Sequence, residues 1–209
     1  MLMLGLINTS AHPCAILPRA DVHVVATPGE VNIDTNFSLD QIAGLAREGG
    51  QSNDRPPLGF YVGTFQDTVG VTLTTSSGAR CADRILIEVH MQIVNRHIAV
   101  GRELQQNPCL FSLALRHYKR KADADEAAIV RYADALAATL SAMILPSSAI
   151  ESQDSFYAAG ELRLEELVTS LIEKSIEQLH AARIASQQAV DTIEEMTRFA
   201  ECSRQPGLP

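Results

Sequence analysis

The sequence predicts an α+β fold in which a small antiparallel sheet with one short helix packs on a long C-terminal helical hairpin. Two observations predict it. Up to about residue 100, short runs rich in β-branched residues alternate with turn-forming residues. After Pro108 the apolar residues recur at helical spacing, and no proline occurs between Pro108 and Pro146 or between Pro146 and Pro206.

Composition narrows the class of protein. The 209 residues are 46% hydrophobic and 20% charged, which is typical of an ordered globular chain with an aliphatic core. The formal charge of −8 argues against a general affinity for nucleic acid or anionic membranes. No apolar run approaches the length of a membrane-spanning helix. We therefore expect no nucleic-acid partner and no membrane span.

The strand and helix pattern begins with two short β-branched runs, residues 22–26 and 31–33, around a Thr-Pro-Gly turn at 27–29. Ser38 and Gln41 then fit a capping box, which predicts a helix of two to three turns ending at a pair of glycines. Further strands are predicted at residues 60–65, 70–75, 85–91 and 93–100. Because no helix separates these later strands, they should form an antiparallel meander.

Two long helices should make up the C-terminal half. The first begins after Pro108 and extends for about 35 residues, until Pro146 breaks it. The second extends from near Asp154 to about Cys202, with an apolar stripe near a period of 3.5 residues. A short connection between two such helices predicts an antiparallel hairpin.

The stretch from Cys81 to Ala142 contains CADRILIEV from Cys81, HIAVGREL from His97, NPC ending at Cys109 and LRH ending at His117. In this order it resembles a bacterial family of secreted zinc-dependent proteases of undefined function, whose helix carries HExxH. The resemblance implies a zincin-like α+β domain over 21–145. It leaves 1–20 as an N-terminal segment that could include a signal peptide, and 146–209 as a long helix extending the same domain.

The zinc motif is degenerate in this chain, where HYKRK stands at residues 117–121. HExxH binds zinc through two histidines on one helix face, and its glutamate activates water. Here the first ligand remains as His117, Tyr118 replaces the glutamate, and the cation Lys121 replaces the second histidine. Tyr118 also falls on the apolar stripe. We therefore expect no catalytic residue and no cofactor, and zinc is the alternative cofactor.

Three histidines could rebuild a metal site. His90 and His97 lie on the predicted strands and could approach His117 if the helix packs on the sheet, giving a three-histidine zinc site. Their odd spacing places His90 and His97 on opposite faces of a regular strand, which argues against the site unless a bulge intervenes. Asp125 shares the helix face of His117 but lies about 12 Å along the axis, too far to join it directly.

The resemblance also pairs Cys81 with Cys109. That disulfide would close a loop of about 28 residues and stabilise the fold by about 3 kcal/mol in the chain-entropy model. It implies an oxidising compartment, periplasmic or extracellular, whereas free buried thiols would fit the cytoplasm. Cys14 and Cys202 could pair or stay free.

The leading functional hypothesis is a non-catalytic, degenerate metalloprotease-like protein, a pseudoenzyme that acts as a binding or structural module. One alternative is a metal-dependent hydrolase that uses His117 with other histidines. Another is an interaction protein whose long helices bind a protein partner or a second copy. Metal content and oligomeric state distinguish the three hypotheses.

Overall fold

The computed structural model describes residues 19–48, 57–74, 84–144 and 154–204. Each element is given by its bounds in chain order: β1 Arg19–Pro28, β2 Val31–Asp34, α1 Leu39–Glu48, β3 Gly59–Thr74, β4 Arg84–Val100, a 3₁₀ helix Arg102–Gln106, α2 Pro108–Ile144, α3 Asp154–Gln188 and α4 Ile193–Ser203. The class is α+β, as the sequence predicts.

The sheet is built around β4. Strand β3 pairs antiparallel with β4 along almost its whole length. Strands β1 and β2 pair parallel with β4, first along residues 84–93 and then along residues 96–99. Because β3 occupies one side of β4, β1 and β2 must follow one another along the other side. The predicted antiparallel sheet is therefore wrong, since two of the three pairings are parallel.

Gly29 explains why the chain does not reverse between β1 and β2. Its N–H donates to the carbonyl oxygen of Ile93 at 2.9 Å. A Cβ at Gly29 would lie only 2.7 Å from that same oxygen. The glycine thus permits a close approach to β4 rather than a hairpin turn. Strand β2 continues in the direction of β1, and α1 then takes the chain to the far side of β4.

A β-bulge interrupts β4 at Asn95, whose φ of +52° is left-handed. Val62 pairs with His97 whereas Thr64 pairs with Val94, so one residue of β3 faces two residues of β4. The extra residue reverses the alternation of side chains. Odd-numbered residues are buried from 85 to 93, and residues 96, 98 and 100 are buried after the bulge.

The main core lies between the inner face of the sheet and helices α2 and α3. Its fully buried members include these residues: Ile85, Ile87, Val89, Ile93, Ile129, Leu140 and Leu179. A second cluster surrounds the start of α2, where Leu110 and Leu113 contact the end of the sheet and α4. The opposite, outer face of the sheet is exposed along most of β3.

The predicted short helix is confirmed as α1. Its capping box is formed, with Ser38 Oγ accepting from the Gln41 N–H at 3.1 Å and Gln41 Oε1 accepting from the Ser38 N–H at 2.8 Å. The first long helix is confirmed as α2, of 37 residues. The predicted second long helix is interrupted, however, because α3 ends at Gln188 and α4 begins at Ile193. In the part of the chain that is described, no helix is long and apolar enough to cross a bilayer.

Candidate functional site

His117 lies on α2 between two carboxylates of the C-terminal segment. The residue is only 8% exposed. Its Nε2 is 3.2 Å from Asp191 Oδ1, and its Nδ1 is 3.1 Å from Glu195 Oε2. One turn further along α2, Lys121 Nζ is 3.0 Å from each oxygen of Asp191. Arg120 Nη1 lies 3.3 Å from Glu195 Oε1. We call these five residues the α4 anchor.

The positions of the two carboxylates follow from the break between α3 and α4. Thr192 is the N-cap of α4, and its side chain accepts from the Glu195 N–H at 3.2 Å. Asp191 therefore precedes the cap, and Glu195 is the third residue of the helix. Both charges stand at the positive end of the helix dipole, where carboxylates are stabilised. On α2, His117 and Lys121 are four residues apart and share the face that meets Asp191.

The anchor groups one imidazole with two carboxylates and two cationic side chains. Each ring nitrogen of His117 faces a carboxylate, with Asp191 at Nε2 and Glu195 at Nδ1. Nδ1 of His117 and Oε2 of Glu195 are close but lack hydrogen-bond alignment, and neither atom has another hydrogen-bond partner. Lys121 adds a cation that contacts Asp191 next to the same ring.

The Cys109–Cys202 disulfide ties the first turn of α2 to the end of α4, with the Cα atoms 5.6 Å apart. Asn107 strengthens the junction, because its Nδ2 donates to the carbonyl of Cys202 at 3.2 Å and its Oδ1 accepts from the Leu110 N–H at 3.1 Å. The predicted partner of Cys109 is therefore corrected from Cys81 to Cys202. Cys14 and Cys81 lie outside the described residues.

The three histidines of the predicted metal site are not brought together. The bulge places His90 and His97 on the same outer face, so their odd spacing does not separate them. His90 is exposed, whereas His97 packs against Phe37 and Phe60, with ring centroids 6.1 and 5.9 Å away. His117 belongs to α2, on the inner side of the sheet. No group of three or more potential ligands within the described ranges is placed to hold a metal ion.

A buried polar network that sequence reasoning missed lies one turn beyond the anchor. Asp125 has no exposed surface, and it accepts hydrogen bonds from Arg183 Nε at 2.7 Å, Arg183 Nη2 at 2.9 Å and Tyr61 Oη at 2.8 Å. Arg96 Nε donates to Tyr61 Oη at 3.3 Å. Burial raises the pKa of Tyr61 to about 12. In the sequence, Asp125 and Arg183 each lie on an otherwise apolar face of their helices. A charged residue in such a position is the signal that could have predicted a buried ion pair.

The network also binds three backbone carbonyls, two of them beside the bulge and the third, that of Ala122, within α2. Arg183 Nη2 donates to the carbonyl of Gly63 at 2.9 Å. The other buried arginine, Arg96, donates to the carbonyls of Gly29 and Ala122, each at 2.9 Å. Irregular backbone leaves carbonyls that the ladder does not pair, and a buried carbonyl without a partner is costly. The network is therefore a structural device that joins α2 and α3 to the sheet.

The second edge of β3, opposite β4, is the other notable surface. In the described part of the chain β3 pairs only with β4, so its second edge carries no strand. Beyond Gly63 the strand continues for eleven residues, 64–74. The residues of its outer face are all exposed and uncharged: Thr64, Gln66, Thr68, Gly70, Thr72 and Thr74. Natural edge strands are normally protected by charges, prolines or coverage, and the charged residue of this segment is Asp67, on the inner face.

No protein-family model, curated protein or solved structure matches this chain. The resemblance to zinc-dependent proteases therefore rests on the motifs quoted above and stays a prediction.

Proposed function

We propose that this protein is a non-catalytic binding or structural module, in which the degenerate zinc motif holds the C-terminal helix in place. The observation that carries the proposal is the position of His117 between Asp191 and Glu195, with Lys121 sharing Asp191. The helix face that chelates zinc in HExxH proteins here binds two carboxylates instead. Carboxylates thus lie beside both ring nitrogens, in the space that a metal ion would have to occupy.

The residue in the place of the general base supports the same proposal. Tyr118 packs against the cluster at the start of α2, and its ring lies edge-on to His117 at 4.8 Å. Burial raises the pKa of Tyr118 above its ordinary value. A hydroxyl that stays neutral under these conditions cannot act as a base towards water. The other two HExxH positions thus supply neither a second histidine ligand nor a glutamate base.

The compartment belongs to the proposal as well. A disulfide between Cys109 and Cys202 forms and persists only under oxidising conditions. The chain would accordingly function in a periplasm or outside the cell. Its contribution there would be a rigid scaffold, since the disulfide and the anchor fix α4 to α2, and the buried network fixes α2 and α3 to the sheet.

Metal binding by the full-length oxidised chain tests the proposal. Wild type, a His117→Ala variant and a Lys119→Ala control are dialysed against zinc and analysed for bound metal, and their unfolding in urea is measured. Lys119 is the matched control because it is exposed on the same helix. We expect no stoichiometric zinc in any of the three. The His117→Ala variant should lose about 1–3 kcal/mol of stability, because Glu195 is left buried with only a half-exposed arginine.

Two results would contradict the proposal. One is a single zinc ion per wild-type chain that disappears in the His117→Ala variant, which would restore the metallohydrolase hypothesis. The other is a His117→Ala variant as stable as the Lys119→Ala control, which would remove the role assigned to the anchor. An exposed substitution such as Lys119→Ala normally changes stability by less than about 0.5 kcal/mol.

A further inference from the structure

We propose that the Cys109–Cys202 disulfide is a redox-sensitive switch, and that its reduction by a dithiol releases α4 from α2 while the rest of the fold stays intact. The proposal rests on the proposed function, which it deepens by naming what controls the position of α4. Two attachments hold this helix at its opposite ends. The disulfide holds the C-terminal end, and the α4 anchor holds the N-terminal end.

The face of α4 that meets α2 offers little apolar surface. Glu195, Phe199 and Cys202 lie on this face, and Phe199 is the large apolar residue among the three. Away from it, Ile193 is 80% exposed and Met196 is 54% exposed. A helix of 11 residues is at best marginally stable by itself in water. Docking of α4 therefore depends more on its two attachments than on apolar contacts.

The rest of the fold does not rely on α4. None of the described residues that form the main core belongs to this helix. Among the described elements, α4 packs chiefly on α2. Because α3 ends at Gln188 and α4 begins at Ile193, the break between them provides a hinge. The helix can thus leave α2 without opening the contacts that join α2 and α3 to the sheet.

The strength of the switch follows from the length of chain that the disulfide closes. With α3 fixed to the sheet, the bond closes a loop of about 14 residues between the end of α3 and Cys202. In the chain-entropy model, closing such a loop favours the docked helix by about a hundredfold. Reduction removes this factor and leaves the anchor and Phe199 to hold α4.

Reduction is a two-electron exchange with the dithiol. Cys109 is partly exposed, whereas Cys202 is buried. A thiolate of the dithiol attacks Sγ of Cys109, the S–S bond breaks, and Cys202 leaves as a thiolate. The second thiolate of the dithiol then attacks the dithiol's own sulfur in the mixed disulfide, which releases Cys109 and oxidises the dithiol to a disulfide. The two protons of the dithiol end on Cys109 and Cys202.

Release changes the surface at the start of α2. Cys109, Leu113 and His117 follow one another at intervals of four residues, so they share the helix face that α4 meets. Leu113 is buried in the docked state, and the Phe199 ring lies 5.8 Å from the His117 ring. Undocking therefore exposes apolar side chains of both helices. The redox state of one bond would control whether this surface is covered.

Amide hydrogen exchange of the full-length protein tests the proposal. Oxidised wild type, wild type reduced with dithiothreitol, and a Cys109→Ser/Cys202→Ser variant are compared. In the reduced chain and in the variant, α4 should exchange about a hundredfold faster than in oxidised wild type, and faster than β4 and α3 in the same sample. Dithiothreitol should not change exchange of α4 in the variant, because the variant lacks the bond that it reduces.

Three results would overturn the proposal. One is exchange of α4 at the same rate as β4 and α3 in the reduced chain, whether all three are slow or all three are fast. Another is a variant in which α4 still responds to dithiothreitol, since a different cysteine would then be responsible. The third is reoxidation of wild type that does not restore slow exchange in α4. None of these results bears on zinc binding at His117, so failure here is distinct from failure of the proposed function.

Discussion

The Asp125→Asn substitution tests the stabilising role of the buried polar network most directly. Asp125 is fully buried and accepts three hydrogen bonds, two of them from Arg183 and one from Tyr61. The asparagine keeps the shape of the side chain but removes its charge and replaces one acceptor by a donor. Arg183, itself only 6% exposed, would then retain a buried positive charge with no carboxylate beside it.

The expected magnitude follows from this geometry. Removing one partner of a buried ion pair costs about 3–5 kcal/mol, because the remaining charge is left uncompensated. Domains are typically stable by only about 5–15 kcal/mol, so the variant should unfold at a much lower urea concentration. The loss should be partly recovered in an Asp125→Leu/Arg183→Met double variant, since apolar residues of similar size leave no isolated charge.

Urea unfolding followed by circular dichroism measures these differences under oxidising conditions. Asp123→Asn is the matched control, because Asp123 is exposed on the same helix and should change stability by less than about 0.5 kcal/mol. An Asp125→Asn variant within about 1 kcal/mol of wild type would refute the reasoning, because this would mean that the residue is not the buried partner of Arg183. If the Asp125→Leu/Arg183→Met variant were less stable than Asp125→Asn, the uncompensated charge of Arg183 would not be the cause of the loss.

Three further predictions concern other parts of the fold. The pKa of Tyr61 is raised from 10.0 to about 12, so between these pH values the folded chain keeps a proton that the unfolded chain loses. The free energy of unfolding should therefore fall as pH rises from about 10 to about 12. Urea unfolding should show a smaller fall in the Tyr61→Phe variant. Cys202→Ser opens a disulfide that spans 93 residues and should cost about 4–5 kcal/mol in the chain-entropy model; a loss below about 1 kcal/mol in urea would contradict the Cys109 pairing. Thr192→Ala removes the side-chain oxygen that accepts from the Glu195 N–H and should lower the stability by about 1 kcal/mol. In this variant amide exchange should be faster in α4 than in α3.

Local chemistry made the helices predictable. The capping box of Ser38 and Gln41 acts within four residues, and the helical periodicity after Pro108 needs no distant contact. The break before α4 also has a local sequence signal, since Thr192 and Glu195 form the Thr-x-x-Glu pattern of a helix start. It was missed because the apolar stripe continues through the break. Periodicity alone does not reveal a helix end when the next helix keeps the same face buried.

Strand direction and side-chain facing were not predictable in the same way. The sequence predicts a turn at Gly29, but in the structure its lack of a Cβ allows its backbone to lie close to the carbonyl oxygen of Ile93, which comes 64 residues later in the chain. The bulge at Asn95 turned His97 to the face of His90, against the simple alternation rule. Both effects depend on which strand lies alongside, and that information is absent from the neighbouring residues.

At the α4 anchor, too, side-chain types are known from the sequence, whereas their contacts depend on the fold. The sequence by itself determined that residues 117–121, HYKRK, have a tyrosine and a lysine where HExxH has its glutamate and second histidine, whatever the fold. Only the tertiary structure decided what His117 and Lys121 contact, since their carboxylate partners come from a segment about 70 residues later. Ligand chemistry is a property of side-chain type, but the pairing of buried charges is decided by which helices the core brings together.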